Sequence, residues 1–429
     1  MKLDDTMQSK PPTARRVASA YKAAWERFAA VGVDTEAAIA TALATPISVH
    51  CWQADDVGGL EGHNGATDSG GLQATGDYPG AARTGDEIRA DFDVAAGLIP
   101  GQLRFNLHAM YAETGDQFVD RDELAPEHFA TWMDWADANG WGLDFNPSLF
   151  AHPLAADGLT LSHPKKSVRD FWVRHCIASR EIARAMAARL GECVCNIWIP
   201  DGLKDATVDR AGPRNRLIKS LDAALDRNMR GVIDTVESKL FGIGVEDYTV
   251  GSHEFYLGYA ISRGTGLCMD MGHYHPTESI ADKISAVAPF VTKILMHLSR
   301  GVRWDSDHVT LYNDDLRAVC DAGVRSGAMN KLLWATDFFD ASINRVAAWT
   351  IGVRAARKAL LGALLEPWSA AAEAERSGDG TSKLTLRELR TELPFGAVWE
   401  QACAVADAPL SPAWLREIRK YEERVLSQR

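Results

Sequence analysis

The chain contains a series of short apolar runs, each ending in a residue type that binds metal ions. The runs occupy residues 236–239, 267–273, 294–297, 304–308 and 332–337. Runs of this length, separated by helical segments, predict parallel strands of an α/β protein. Such proteins place their chemistry at the carboxyl ends of the strands. The sequence therefore predicts one site built from several distant segments.

Five carboxylates would meet at one end of this core: Glu237, Asp270, Asp305, Asp307 and Asp337. Each buried, unpaired carboxylate costs several kcal/mol. The two nearby histidines, His273 and His297, are neutral imidazoles and do not balance that charge. Two divalent cations with the ammonium of Lys239 would balance it fully. The charge count therefore predicts a site for two metal ions.

Single signals within this set have ordinary structural explanations. Glu237 and Lys239 share a strand face and could form a structural ion pair. His297 alone is more typical of a hydrogen-bonded core histidine. Asp305 and Asp307 also share a face. Because these signals fall on successive strand ends, we favour the metal site over coincidence.

Length and composition set the class of protein. The chain has 429 residues, 46% of them hydrophobic and 24% charged, which is typical of a globular protein. The net charge of −12 argues against nucleic acid as a partner. No stretch approaches the ~20 apolar residues of a membrane span. Seven cysteines in apolar surroundings and the lack of a signal peptide predict a cytoplasmic protein.

Eight strands are predicted, which matches a (β/α)8 TIM barrel. They cover residues 47–52, 103–108, 142–146, 193–200 and 231–237, followed by the apolar runs that end at Asp270, His297 and Asp337. We predict an N-terminal tail and helix in 1–45, the barrel in 46–345 and a C-terminal all-helical extension in 346–429. The Gly-rich stretch 57–78 is interpreted as a lid or a subunit contact.

Several longer motifs resemble the L-rhamnose isomerase family. They include NIWIPDG at 196–202, VESKLFGIG at 236–244, GHYHPTE at 272–278, VRWDSDH at 302–308 and DFFDASINR at 337–345. The resemblance runs from about residue 21 to the C-terminus. It implies a barrel related to xylose isomerase, a homotetramer and two divalent ions. Mn²⁺ is the expected metal, with Co²⁺, Mg²⁺ or Zn²⁺ as alternatives.

The resemblance also implies individual roles. A structural ion would be held by Glu237, Asp270, His297 and Asp337, and a catalytic ion by His273, Asp305 and Asp307, with Asp270 as an optional bridge. Glu237 and Asp270 would also help to bind the sugar through that structural ion. Lys239 would contact O1 of the sugar, and His108 the ring-oxygen region. Trp198 and Phe339 would form apolar walls.

The implied reaction is the isomerisation of L-rhamnose to L-rhamnulose. We expect a hydride to move from C2 to C1 while Asp307 relays the proton of O2. Proton transfer through an enediol is the rival path. Another metal-dependent barrel enzyme, an epimerase or aldolase, is the alternative function, and a non-catalytic sugar-binding barrel is the third.

Overall fold

Eight parallel strands close into a barrel in this computed structural model, which describes residues 11–61, 74–239, 246–302 and 307–429. The strands are β1 (Ile47–His50), β2 (Leu103–His108), β3 (Gly142–Asn146), β4 (Cys193–Ile197), β5 (Val232–Glu237), β6 (Gly266–Asp270), β7 (Ile294–Leu298) and β8 (Leu332–Thr336). Each strand pairs with the next one, and β8 pairs with β1. The predicted (β/α)8 architecture is confirmed.

Helices surround the barrel and extend beyond it at both ends of the chain. The first seven are α1 (Ala14–Ala29), α2 (Thr35–Ala44), α3 (Gly85–Ala96), α4 (Ala130–Asn139), α5 (Lys166–Leu190), α6 (Ala211–Ala224) and α7 (His253–Arg263). The others are α8 (Ile280–Val287), α9 (Asp314–Arg325), α10 (Arg345–Leu364), α11 (Trp368–Arg376), α12 (Gly380–Leu389), α13 (Phe395–Val405) and α14 (Ala413–Arg424). Within the described stretches, no helix combines the length and apolar character needed to cross a lipid bilayer.

Local sequence signals explain where several helices begin and end. The carboxylate of Asp34 accepts hydrogen bonds from two backbone N–H groups of the first turn of α2. The side chain of Asn313 caps α9 in the same way. Helix α4 ends at Gly140, which has a φ of 69°. This left-handed backbone favours glycine, which explains why the helix stops there.

The two ends of the chain pack together beside the barrel. Phe28 of α1, Leu361 of α10 and Trp399 of α13 belong to one buried apolar cluster that is separate from the main core. Burial of such side chains stabilises the fold by roughly 1.5–3 kcal/mol each. This cluster joins the N-terminal helix to the C-terminal helices. The predicted division at residues 45 and 345 stays a prediction.

Two predicted strands end earlier than the sequence indicated. The first was expected over residues 47–52, but β1 ends at His50 and Cys51–Gln53 form a 3-10 turn. The turn stacks the ring of Trp52 on that of His50, with 4.6 Å between ring centroids. The fourth was expected over 193–200, but β4 ends at Ile197. Because both strands end early, Trp52 and Trp198 lie in the segments that follow the strands and not within the strands.

The stretch interpreted as a lid is described only at its ends, because residues 62–73 lie outside the described residues. Glu61 pairs with the guanidinium of Arg121 at 2.8 Å. On the far side, the N–H of Tyr78 donates to the carbonyl of Ala341 at 2.8 Å. Both ends of this stretch are therefore held by contacts with segments that follow barrel strands.

A half-buried carboxylate, Asp55, supports the turn after β1. It accepts hydrogen bonds from the Tyr111 hydroxyl at 2.6 Å and from the N–H of Gly59 at 2.7 Å. Burial raises the pKa of Asp55 to about 7. The folded state therefore binds this proton more tightly than the unfolded chain does. Stability from this group is lost as pH rises from about 4 through about 7.

We predict that Asp55→Asn removes this pH dependence. Between about pH 5.5 and pH 8, the contribution of Asp55 to the free energy of unfolding should fall by about 2 kcal/mol. The unfolding of both proteins in urea, measured at these two pH values, gives the difference. The variant should gain stability relative to the wild type at the higher pH. An equal pH dependence in both proteins would contradict the assignment.

Candidate metal centre

Four buried side chains converge at the carboxyl ends of consecutive strands. Glu237 is the last residue of β5, Asp270 ends β6, His297 lies near the end of β7, and Asp337 directly follows β8. Asp270 and His297 are register partners in the sheet, which places them side by side. One ligand atom from each of the four lies within 4.8 Å of those of the others. Closure of the barrel therefore creates a group able to hold a metal ion.

The imidazole of His297 lies at the centre of this group. Its Nδ1 is 3.2 Å from Oε1 of Glu237, 3.1 Å from Oδ2 of Asp337 and 3.5 Å from Oδ2 of Asp270. Among the described residues, Oδ2 of Asp270 and Oδ1 of Asp337 have no hydrogen-bond partner. Buried carboxylate oxygens without a partner are costly. This donor set fits a divalent cation.

The pKa values of these side chains reflect the concentration of carboxylates in the group. Burial raises the pKa of Asp337 to about 7. Burial opposes charge on Glu237 as well, but His297 and His273 bring the pKa of Glu237 well below its usual value. Burial also opposes a charged His297, yet Cys268, Glu237 and Asp337 raise its pKa well above the usual value. Without a cation the cluster takes up protons, and a bound metal ion would release them.

Further polar side chains orient two of the four ligands, Glu237 and Asp270. Nδ2 of Asn196 donates to Oε2 of Glu237 at 2.5 Å, and the hydroxyl of Thr235 donates to Oδ1 of Asn196 at 2.7 Å. The hydroxyl of Ser299 donates to Oδ1 of Asp270 at 3.0 Å. Such outer contacts fix ligand orientation. Sequence reasoning missed them, although strand alternation places Thr235 on the same face as Glu237.

A cavity opens beside the four-residue cluster. Its lining residues are Trp52, His108, Asn146, Pro147, Phe150, Trp198, Glu237, His273, Asp307, Asp337 and Phe339. One side is aromatic and apolar, whereas the other presents carboxylates and an imidazole. A small molecule with an apolar edge and several oxygens would match both sides.

The structure brings most of the predicted site residues to this cavity. Seven of them line it: His108, Trp198, Glu237, His273, Asp307, Asp337 and Phe339. Asp270 and His297 are buried in the adjoining cluster. Lys239 is buried, with its Nζ 4.4 Å from the ring centroid of Trp198. Asp305 lies outside the described residues.

His273 and Asp307 approach the cluster from two loops. Nδ1 of His273 lies 3.2 Å from Oε1 of Glu237, so this imidazole borders the first group of ligands. Asp307 has a φ of 43°, which is uncommon outside glycine and recurs at functional sites. Its carbonyl accepts the N–H of Phe339 at 3.1 Å, which ties the loop to the end of β8.

His108 lies on the aromatic side of the cavity, where its ring is stacked on a tryptophan. Its Nε2 lies 3.3 Å from Nδ1 of His50, and its ring stacks on Trp52 with 4.2 Å between centroids. In the described part of the chain, Nδ1 of His108 has no hydrogen-bond partner. Burial lowers the pKa of His108 to about 3, so the ring is neutral near pH 7. Sequence reasoning missed His50, although it ends a strand as the other site residues do.

Comparisons with known proteins show which family the chain belongs to. A model of the L-rhamnose isomerase family matches residues 15–429. The L-rhamnose isomerase of Shigella flexneri is 54% identical over 413 residues, covering 96% of this chain and 98% of that protein. The L-rhamnose isomerase of Escherichia coli (strain SMS-3-5 / SECEC) is 53% identical with the same coverage.

The chain belongs to the L-rhamnose isomerase family.

Solved structures show lower similarity. A D-psicose 3-epimerase from Clostridium cellulolyticum H10 has 13% sequence identity and a TM-score of 0.40, covering 64% of this chain and 90% of that chain. A xylose isomerase-like TIM barrel/4-hydroxyphenylpyruvate dioxygenase fusion protein has 11% identity and a TM-score of 0.44, covering 78% of this chain and 45% of that chain. The family assignment rests on the family model and the sequence relatives.

Membership of the L-rhamnose isomerase family makes the protein an enzyme of the aldose–ketose isomerase class. The family and the buried ligand group together indicate that it uses a divalent metal ion. The prediction of a sugar isomerase is confirmed at this level.

We predict that Asp337→Asn weakens divalent metal binding by more than about 100-fold, because even outer contacts of a metal ligand contribute about 10–100-fold. Metal content after dialysis and the shift of the melting temperature on adding Mn²⁺ measure this loss. Asp201→Asn is the control, since Asp201 is also buried but bonds Thr160 and Ser162 instead. Unchanged metal affinity in the Asp337 variant would exclude it as a ligand.

Proposed function

We propose that this enzyme interconverts L-rhamnose and L-rhamnulose by a 1,2-hydride shift at two divalent ions. One observation carries the proposal: the four-ligand cluster adjoins a cavity with one aromatic and one polar side, and His273 and Asp307 line that same cavity. The substrate follows the names of relatives that are 53–54% identical over almost the whole chain.

Two groups of residues would hold the ions. The first consists of Glu237, Asp270, His297 and Asp337, and the second of His273, Asp305 and Asp307. Mixed carboxylate and imidazole ligands suit Mn²⁺, with Co²⁺, Mg²⁺ and Zn²⁺ as alternatives. Bound there, the ions would polarise O1 and O2 of the open-chain sugar.

Residues of the chain would handle the proton and orient the sugar. Asp307 lines the cavity and is the proposed acceptor of the O2 proton, which finally reaches O1. As that proton leaves, C2 becomes a carbonyl and its hydride moves to C1. The Lys239 ammonium would stabilise negative charge at O1. The neutral ring of His108 would hydrogen-bond the ring-oxygen region.

The aromatic wall would protect this transfer from water. Trp52 and Phe339 meet at 5.5 Å between centroids, and Phe150 and Trp198 at 5.8 Å. All four line the cavity. A dry cavity keeps solvent protons away from C1 and strengthens the electrostatic contacts of the carboxylate side.

We also propose a cytoplasmic homotetramer. All seven cysteines are buried and free, as is typical of proteins in a reducing compartment. The tetramer follows from the family resemblance, and light scattering of the purified protein tests it directly.

The isotope test separates the hydride shift from the enediol path. With L-rhamnose carrying deuterium at C2, we predict that the ketose formed in ordinary water retains the label at C1. The enzyme is first stripped with EDTA and then restored with Mn²⁺. In the reverse experiment, unlabelled sugar in D₂O should gain no deuterium at C1. Near-stoichiometric solvent deuterium there would exclude the hydride path, and the absence of any ketose would exclude the isomerase.

The number of ions can be tested at the loop after β6. We predict that the wild type binds two equivalents of Mn²⁺, whereas His273→Ala binds one and loses turnover by more than about 100-fold. Equilibrium dialysis with metal analysis counts the ions. His275→Ala is the matched control, because His275 lies two residues along the same loop, is exposed and bonds Thr277. Two equivalents bound by the His273 variant would contradict the second ion site.

A further inference from the structure

The ammonium of Lys239 lies against the face of a tryptophan. Its Nζ is 4.4 Å from the ring centroid of Trp198, and the lysine side chain is buried. Trp198 follows β4 and lines the cavity, whereas Lys239 follows β5. The contact therefore joins the ends of two adjacent strands, directly beside the cluster that contains Glu237.

This contact has a physical consequence for the lysine. A cation within about 6 Å of an indole centroid is attracted by the negative face of the ring, and the attraction grows when water is excluded. A lysine side chain has four flexible carbons and a point charge, so it is held only by what meets its ammonium. The indole face is one of the groups that define where this ammonium sits.

Neighbouring contacts hold the tryptophan itself. Phe150 meets the ring of Trp198 edge-on, with an interplanar angle of 80° and 5.8 Å between centroids. At the lysine, the backbone N–H of Lys239 donates to the carbonyl of Gly251 at 3.2 Å. The backbone of the lysine and the plane of the indole are thus anchored separately, and the cation–π contact connects them.

We propose that Trp198 is a positioning residue whose ring electrostatics hold the Lys239 ammonium where it can act on the sugar's O1. The inference rests on the proposed function, in which Lys239 stabilises charge at O1. It goes beyond a role for Trp198 as an apolar wall. A wall depends on the shape of the ring, whereas a cation–π contact depends on the charge distribution over its face.

Fluorinated tryptophans separate these two roles, because fluorine withdraws charge from the ring face and barely changes its shape. We would replace Trp198 alone with mono-, di-, tri- and tetrafluorotryptophan in the Mn²⁺-loaded enzyme. We expect kcat for L-rhamnose to fall in graded steps, by about 10-fold over the series. KM should change much less, since charge at O1 develops mainly in the transition state.

The matched control is the same series at Trp132. This indole is fully buried and carries the guanidinium of Arg89 at 4.5 Å, but it belongs to α4 on the outside of the barrel. Fluorination of Trp132 should leave kcat unchanged. As a second control, the Trp198 series in a Lys239→Met background should produce no further graded loss.

The outcomes are distinct. A graded loss at Trp198 that vanishes without Lys239 supports the inference. A flat series at Trp198, in a protein that isomerises L-rhamnose normally, overturns it and leaves the proposed function intact. An equal loss at Trp132 also overturns it, because fluorination would then act non-specifically. If the unsubstituted, metal-loaded protein forms no ketose, the proposed function itself fails.

Discussion

The concentration of buried carboxylates around one imidazole is the constraint on which the rest of this structure depends. Glu237, Asp270 and Asp337 surround His297 in a space that excludes water. No ordinary protein core tolerates this charge without cations, protons or both. The closed parallel barrel makes the arrangement possible, because the carboxyl ends of four successive strands meet there on one side. The polar contacts from Asn196 and Ser299 then fix the oxygens in place.

The charged cluster and the aromatic wall form the two complementary sides of the cavity. Packed aromatic rings would exclude water from the cavity, and in the resulting low dielectric each ion contact would be stronger. The cluster adds carboxylate and imidazole groups to a cavity that is otherwise lined by apolar rings. The oxygens of a sugar need such a polar side. Lys239 lies where these two halves join, buried beside the carboxylates with its ammonium on an indole face.

Much of this could be read from the sequence, because strand ends in a parallel barrel obey a simple rule. Apolar runs located all eight strands, and the residue type at each end located the cluster. The sequence did not show how the chain turns after a strand, so the predicted strand 47–52 continued through a 3-10 turn at Cys51–Gln53. Contacts between side chains from distant segments, such as Trp198 with Lys239, depend on rotamers and packing that no local pattern records.

A crystal structure of the Mn²⁺-loaded protein, with anomalous scattering data collected at the manganese edge, tests the metal site most directly. We predict one anomalous peak within about 2.0–2.3 Å of the ligand atoms of Glu237, Asp270, His297 and Asp337. A second peak should lie beside His273 and Asp307. Manganese bound elsewhere, with these four side chains left uncoordinated, would contradict this prediction.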